Sequence, residues 1–86
     1  MTIALPASLT LSAASAELAR LQALAAAQAG EVVLDASALQ EVDSSCLAVL
    51  LQCRREALGR GLGFRVDHPP EKLQALMKLY GVAELF

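Results

Sequence analysis

The sequence predicts one α/β domain over residues 1–86, with a central mixed β-sheet and helices packed on it. Three observations lead there. Short β-branched segments alternate with longer Ala- and Leu-rich ones, the pattern of helices layered on a sheet. Turn signals separate these segments, and no repeat, low-complexity tract or linker divides them. Apolar residues make up 56% of the 86, against roughly 45–50% in ordinary domains. That excess suits a chain so small that folding buries only about 60–65% of its unfolded surface.

Thr2 to Thr10 reads as a short, weak strand with Ile3, Leu5, Ala7 and Leu9 on one face. Pro6 removes a ladder donor there and marks an edge or a break. Ser12 to Gln28 is Ala-rich without Gly or Pro and predicts a helix, with Ser12 as N-cap and Gly30 as stop. Ala14, Leu18, Leu21 and Ala25 share its apolar face. Glu31 to Ala36 holds the run Val32-Val33-Leu34 and predicts a buried central strand ending at Asp35. Leu39 and Val42 carry the chain to Asp43-Ser44-Ser45.

Ser44 to Gly59 predicts the second helix, capped by Asp43 or Ser44 and stopped by Gly59-Arg60-Gly61. Its apolar residues, from Cys46 to Leu58, spread over about 200° at 100° per residue. A helix that only covers a sheet needs an apolar stripe of just over about 100°. Part of the arc is therefore expected to meet another helix or another protein. The remaining strip is Ala48, Gln52, Arg55 and Glu56, and Arg54 is expected to snorkel outward over its Leu neighbours. Leu62, Phe64 and Val66 alternate as a half-buried strand. A third helix begins near Pro70 and carries Leu73, Leu76, Met77 and Tyr80 on its apolar face, ending at Gly81.

Composition excludes several function classes. A net charge of −2 with only seven Lys and Arg argues against nucleic acid, which requires a basic patch. The first basic residue is Arg20, so no signal peptide is expected. No apolar run reaches the ~18 residues of a bilayer span. A soluble cytoplasmic chain is the expectation, with no direct membrane insertion and with Cys46 and Cys53 as free thiols. On one helix those two are separated by a rise of about 10 Å, too far for a disulfide, which needs Cα atoms within about 7 Å.

The densest polar cluster is Asp43-Ser44-Ser45. A helix N-terminus presents free N–H groups and a partial positive charge. A phosphate on Ser44 would sit well there and would add roughly −1.5 to −2 charge beside Asp43. The plainer role of these residues is helix capping. A hydrolase is not expected: His68 is the one histidine, it stands before Pro69-Pro70 as a cap or surface residue, and no Gly-x-Ser-x-Gly elbow exists. Cys46, Cys53 and His68 lack metal-ligand spacing, and the two Cys are expected to be buried as small hydrophobes. Gly59-x-Gly61-x-Gly63 lacks the spacing of a phosphate loop. No enzyme activity, cofactor or metal is expected. Lys78 to Val82 has two readings: Tyr80 faces the core as the helix ends, or Leu79 and Phe86 are exposed anchors for a partner.

Val33-Leu34-Asp35-Ala36-Ser37-Ala38-Leu39, followed by Val42-Asp43-Ser44-Ser45-Cys46-Leu47-Ala48-Val49-Leu50, resembles the core signature of STAS domains. That signature is a strand, Asp-x-Ser, a spacer, an apolar residue, Asp-Ser-Ser-Gly-Leu and an apolar helix. The likeness continues through Gly61 and Phe64 to the last helix, covering residues 30–86, while the first 28 residues fit in pattern only. The resemblance implies a small STAS-type fold. In anti-sigma factor antagonists of the family, the residue after the motif Asp accepts a phosphate from a partner kinase; that position is Ser44. Leu76-Met77-Lys78-Leu79-Tyr80-Gly81-Val82 looks more like the MlaB branch, whose members bind the ATPase subunit of the phospholipid ABC transporter that maintains outer-membrane lipid asymmetry. This implies a cytoplasmic subunit held peripherally at the inner membrane, with a partner surface of Asp43, Ser44, Ser45, Ala48, Gln52 and Arg55. One residue departs from the signature: Cys46 replaces the family Gly and is expected to add a side chain where a partner approaches.

Overall fold

A computed structural model describes residues 2–86. Strands β1 (Thr2–Ala4) and β2 (Ser8–Leu9) precede helix α1 (Ala14–Ala25). Strand β3 (Glu31–Asp35) leads through β4 (Glu41–Val42) to α2 (Ser44–Gly59), then β5 (Gly63–Asp67), α3 (Glu71–Leu79) and a 3-10 turn at Ala83–Leu85. One sheet has the order β1-β3-β5 and a second pairs β2 with β4. Every described pairing is parallel. The expected mixed sheet thus takes a parallel form, since helical crossovers rather than hairpins join the paired strands.

This strand order positions the helices. The steps from β1 to β3 and from β3 to β5 run in the same direction across the sheet. Right-handed crossovers then place α1 and α2 on one face, where the two helices pack against each other. Ile3 registers with Leu34, Val32 with Phe64, and Leu34 with Val66. Ile3, Val32, Leu34 and Val66 join the core with Leu21, Leu50 and Leu73. The opposite face carries Val33, flanked in register by Thr2 and Arg65. Val33 is 7% exposed yet lies outside the core cluster. Beside it Arg65 pairs with Asp67 at 2.6 Å and with Glu31 at 3.0 Å. A Cβ on Gly63 would come within 3.3 Å of the Glu31 side chain, so glycine leaves Glu31 its path to Arg65. The central strand is buried as expected at Val32, Val33 and Leu34, and its helix-facing side joins the core cluster.

The first strand breaks around Pro6, as its missing donor implies, but Ala7 is exposed rather than core-facing. Other expected boundaries shift. Ser12 does not cap α1. The helix starts two residues later, after Ala13, and without a side-chain cap. The hydroxyl of Ser12 instead lies 3.4 Å from that of Thr10. At the other end Arg60 serves as a cap in trans. Its guanidinium donates to the carbonyls of Ala25 at 2.9 Å and of Ala26 and Gln28 at 3.4 Å. Ala25 is the last residue of α1 and Ala26 its C-cap, and a cation is favoured at a helix C-terminus. Arg60→Ala is expected to cost about 1 kcal/mol, a fall in Tm of about 4–8 °C for a domain this size, measurable by thermal unfolding. An unchanged Tm would show that water replaces the guanidinium without loss.

Candidate functional site

The site grows from one side chain. Asp43 is the N-cap of α2, in extended backbone with φ −140°. One carboxylate oxygen accepts the Ser45 N–H at 2.8 Å, the usual capping bond. The other accepts the Leu11 N–H at 3.0 Å, from 32 residues earlier. Asp43 therefore ties the loop before α1 to the start of α2. The Leu11 bond is the main reason its carboxyl is held below the ordinary value of 3.8, with Ser45 adding to it. Stability from Asp43 is present above the unfolded-state value and is lost as pH falls through the lowered folded-state value. Asp43→Asn is expected to lower Tm at neutral pH and to flatten the acid limb of the stability profile below about pH 4. A profile parallel to that of the parent chain would rule out Asp43 as the linked group.

From this cap the ridge of α2 projects outward. Ser44, Ala48 and Arg55 are exposed, while Ser45 and Gln52 are half-buried. On one side a groove of about 430 Å³ runs between α1 and α2, lined by Leu11, Leu18, Ser45, Ala48 and Gln52 among others. On the other side a groove of about 270 Å³ is lined by Ser44, Leu47, Ala48, Leu51, Tyr80 and Val82. Ala48 lines both and forms the crest between them. Glu56 holds the α1 side of the ridge. Its carboxylate accepts the amide of Gln52 at 2.8 Å and that of Gln22, on α1, at 2.8 and 3.2 Å. These bonds, Gln52 first, keep its carboxyl below the ordinary range. Arg55 enters no ion pair among the described residues. Arg54 reaches out as expected and donates to the Leu85 carbonyl at 3.1 Å, fastening the C-terminal turn.

Three expectations change here. Cys46 is fully buried, as expected of a small hydrophobe, on the same helix face as Val49, Leu50 and Cys53, so it adds no side chain at the approach surface. Burial pushes its thiol up to about 12 and that of Cys53 up to about 11, with Asp43 and Glu56 respectively adding to the rise. Both thiols stay protonated and unreactive at neutral pH. Tyr80 does not face the core. It stands at the C-cap of α3, one residue past the helix, and is 56% exposed. Of the two anchors in the other reading, Leu79 is exposed at 76%, whereas Phe86 is half-buried with its ring centroid 6.1 Å from that of Phe64. His68 is exposed with φ 54°, on the turn between β5 and α3. The residue-by-residue reading placed Leu11 and Gln22 in no site. Only their long-range contacts bring them to the ridge.

A parallel sheet covered on one face by α1 and α2, with an Asp-capped α2 projecting from it, defines a STAS-type domain. A family model described as "Mlab, STAS domain" matches residues 1–86, the whole chain. The chain belongs to this family. A comparison with curated proteins found no match. No helix among the described residues is long and apolar enough to cross a membrane.

Proposed function

We propose that this chain docks through the α2 ridge onto the ATPase subunit of a phospholipid ABC transporter that maintains outer-membrane lipid asymmetry. It regulates or stabilises that subunit and performs no chemistry of its own. The observation that carries this reading is the exposed crest at Ala48 between two apolar grooves. A small residue on a helix crest lets another surface approach closely, and the flanking grooves offer pockets for its apolar side chains. Family membership supports the choice of partner. Contact would involve Ser44, Ser45, Ala48, Gln52 and Arg55. Asp43, with both oxygens engaged internally, would shape the surface. The chain would be cytoplasmic and held at the inner membrane only through its partner. Co-purification from its native cells tests the proposal: an ATP-binding subunit together with its permease is expected, and a free monomer would contradict it.

The exposed hydroxyl of Ser44 favours a second reading. It makes no side-chain hydrogen bond among the described residues and stands at the first position of α2. As an anti-sigma factor antagonist, the chain would accept a phosphate there from a partner kinase. With Cys46 buried, no bulk at that position obstructs a kinase. Incubation with such a kinase and ATP should give a phosphorylated product that Ser44→Ala abolishes, while the absence of a product would remove this reading.

A further inference from the structure

We infer that the open edge of β5 takes up an extended segment of a partner polypeptide as a further strand, with apolar side chains set toward α3 and basic ones on the opposite face. The site lies apart from the α2 ridge and does not depend on docking there.

Three observations carry it. The first is a pair of residues whose main-chain groups lack partners. Gly63 donates its N–H to the Gly30 carbonyl at 2.9 Å, and the Asp67 carbonyl accepts the Ala36 N–H at 2.8 Å. Gly63, Arg65 and Asp67 thus turn their main chain toward β3, and Phe64 and Val66 point their N–H and C=O groups away from the sheet. Those four groups have no hydrogen-bond partner among the described residues. The other edge of the sheet is partly closed: Arg20, held by Glu17 at 2.9 Å, donates to the Ala4 carbonyl of β1 at 2.8 Å. An unpaired edge is a template for a further strand, and in such additions main-chain bonds supply affinity while alternate side chains supply specificity. The open stretch is short. Before it, the Leu62 N–H is spent on the Ala57 carbonyl at 2.9 Å; after it, Pro69 has no donor.

The second observation is a cavity of about 260 Å³ beside this edge, lined by Val66, Pro69, Met77, Ala83 and Phe86 together with Gln74 and Lys78. No residue of β1 or β3 lines it, so it lies on the open side of β5, with α3 as its far wall. Val66 registers with Leu34 and shares its core-facing side. A residue paired with Val66 on an added strand points to that same side, into the cavity. The volume is below the roughly 300–1,000 Å³ of small-molecule pockets and suits one large apolar side chain.

The third observation is the charge of the opposite sheet face. There Glu31, Asp35 and Asp67 surround Arg65. Hydrogen bonds from Ser37 to Asp35 and from Arg65 to Asp67 hold both carboxyls below the ordinary range, so they stay ionised. His68 lies close to both, and even with its ring protonated three carboxylates outnumber two cations. Basic side chains are therefore favoured on this face. Lys78 lines the cavity on the other and disfavours them there. The two faces together fix the register of the incoming strand.

The capped hexapeptide Lys-Val-Lys-Leu-Lys-Val, added to the isotope-labelled chain and followed by NMR, tests the site. Saturable binding is expected, with amide exchange at Phe64 and Val66 slowed about tenfold or more and the Ala83 methyl signal shifted, while the amide of Ala4 at the other edge is unchanged. Replacing each Lys of the peptide by Glu should weaken binding about tenfold. Ala83→Phe, which fills the cavity from an exposed position, should do the same in a folded chain. Shifts confined to the grooves of α2, or unchanged exchange at Phe64 and Val66, would overturn the inference and leave the α2 docking intact. Equal affinity for the Glu peptide would refute the basic partner. Protection of Phe64 and Val66 that grows with chain concentration without peptide would make the occupant a second copy of this chain and overturn the partner strand.

Discussion

Replacing Leu50 by alanine is expected to lower the stability of this domain by about 2–5 kcal/mol. Leu50 is fully buried on α2, as are Leu21 of α1, Leu34 of β3 and Leu73 of α3. It belongs to the layer where helices meet sheet, so the cavity left behind borders several elements. The loss combines the transfer free energy of the removed atoms with the cost of that cavity, and rigid neighbours close it only in part. For a domain of this length total stability is on the order of 4–13 kcal/mol, so one substitution removes a large share of it. Urea unfolding would show a midpoint lower by about 1–3 M at an unchanged slope. A midpoint within experimental error of the parent's would mean that Leu50 is not part of the packed core.

Ser44→Glu is expected to have the opposite profile, a folded domain with failed docking. Ser44 is exposed at the first position of α2. A carboxylate there is favoured by the helix N-terminus, so stability should change by less than about 0.5 kcal/mol. In a contact the same carboxylate would lose its water without gaining a partner. Binding to the ATPase subunit should weaken on the order of 10–100-fold, about 1.4–2.8 kcal/mol. Titration calorimetry on the pair would measure this. Equal affinity in a normally folded variant would remove Ser44 from the interface.

Local chemistry was enough to place the longest helix. An Asp cap before Ser44 and a Gly at 59 bound α2 at the expected residues, because both signals act within one turn. The strand through Val32 and Leu34 was equally legible from its β-branched apolar run. Distant partners decided the rest. The backbone before α1 is held at Leu11 by a carboxylate 32 residues away, so the local rule that favoured Ser12 as a cap lost. Strand β4 is two residues long and exists only by pairing with β2; no period can be read from two residues. Tyr80 continued the apolar pattern of α3, but the helix ends at Leu79 and the ring turns outward. The burial of Cys46 was legible from its phase with Val49, Leu50 and Cys53. Only the departure from the family Gly, at the polar helix start, suggested a side chain at the surface. The ridge residues were legible as the polar strip of α2. The grooves beside them were not, since each is completed by side chains from another element.

A structure of the chain bound to its ATPase subunit bears most directly on the proposed docking. Ser44, Ala48 and Arg55 should be buried against the ATPase, with its apolar side chains seated on either side of Ala48 and the Arg65 face of the sheet left open to water. A complex in which the sheet face makes the contact and Ala48 remains in solvent would contradict it.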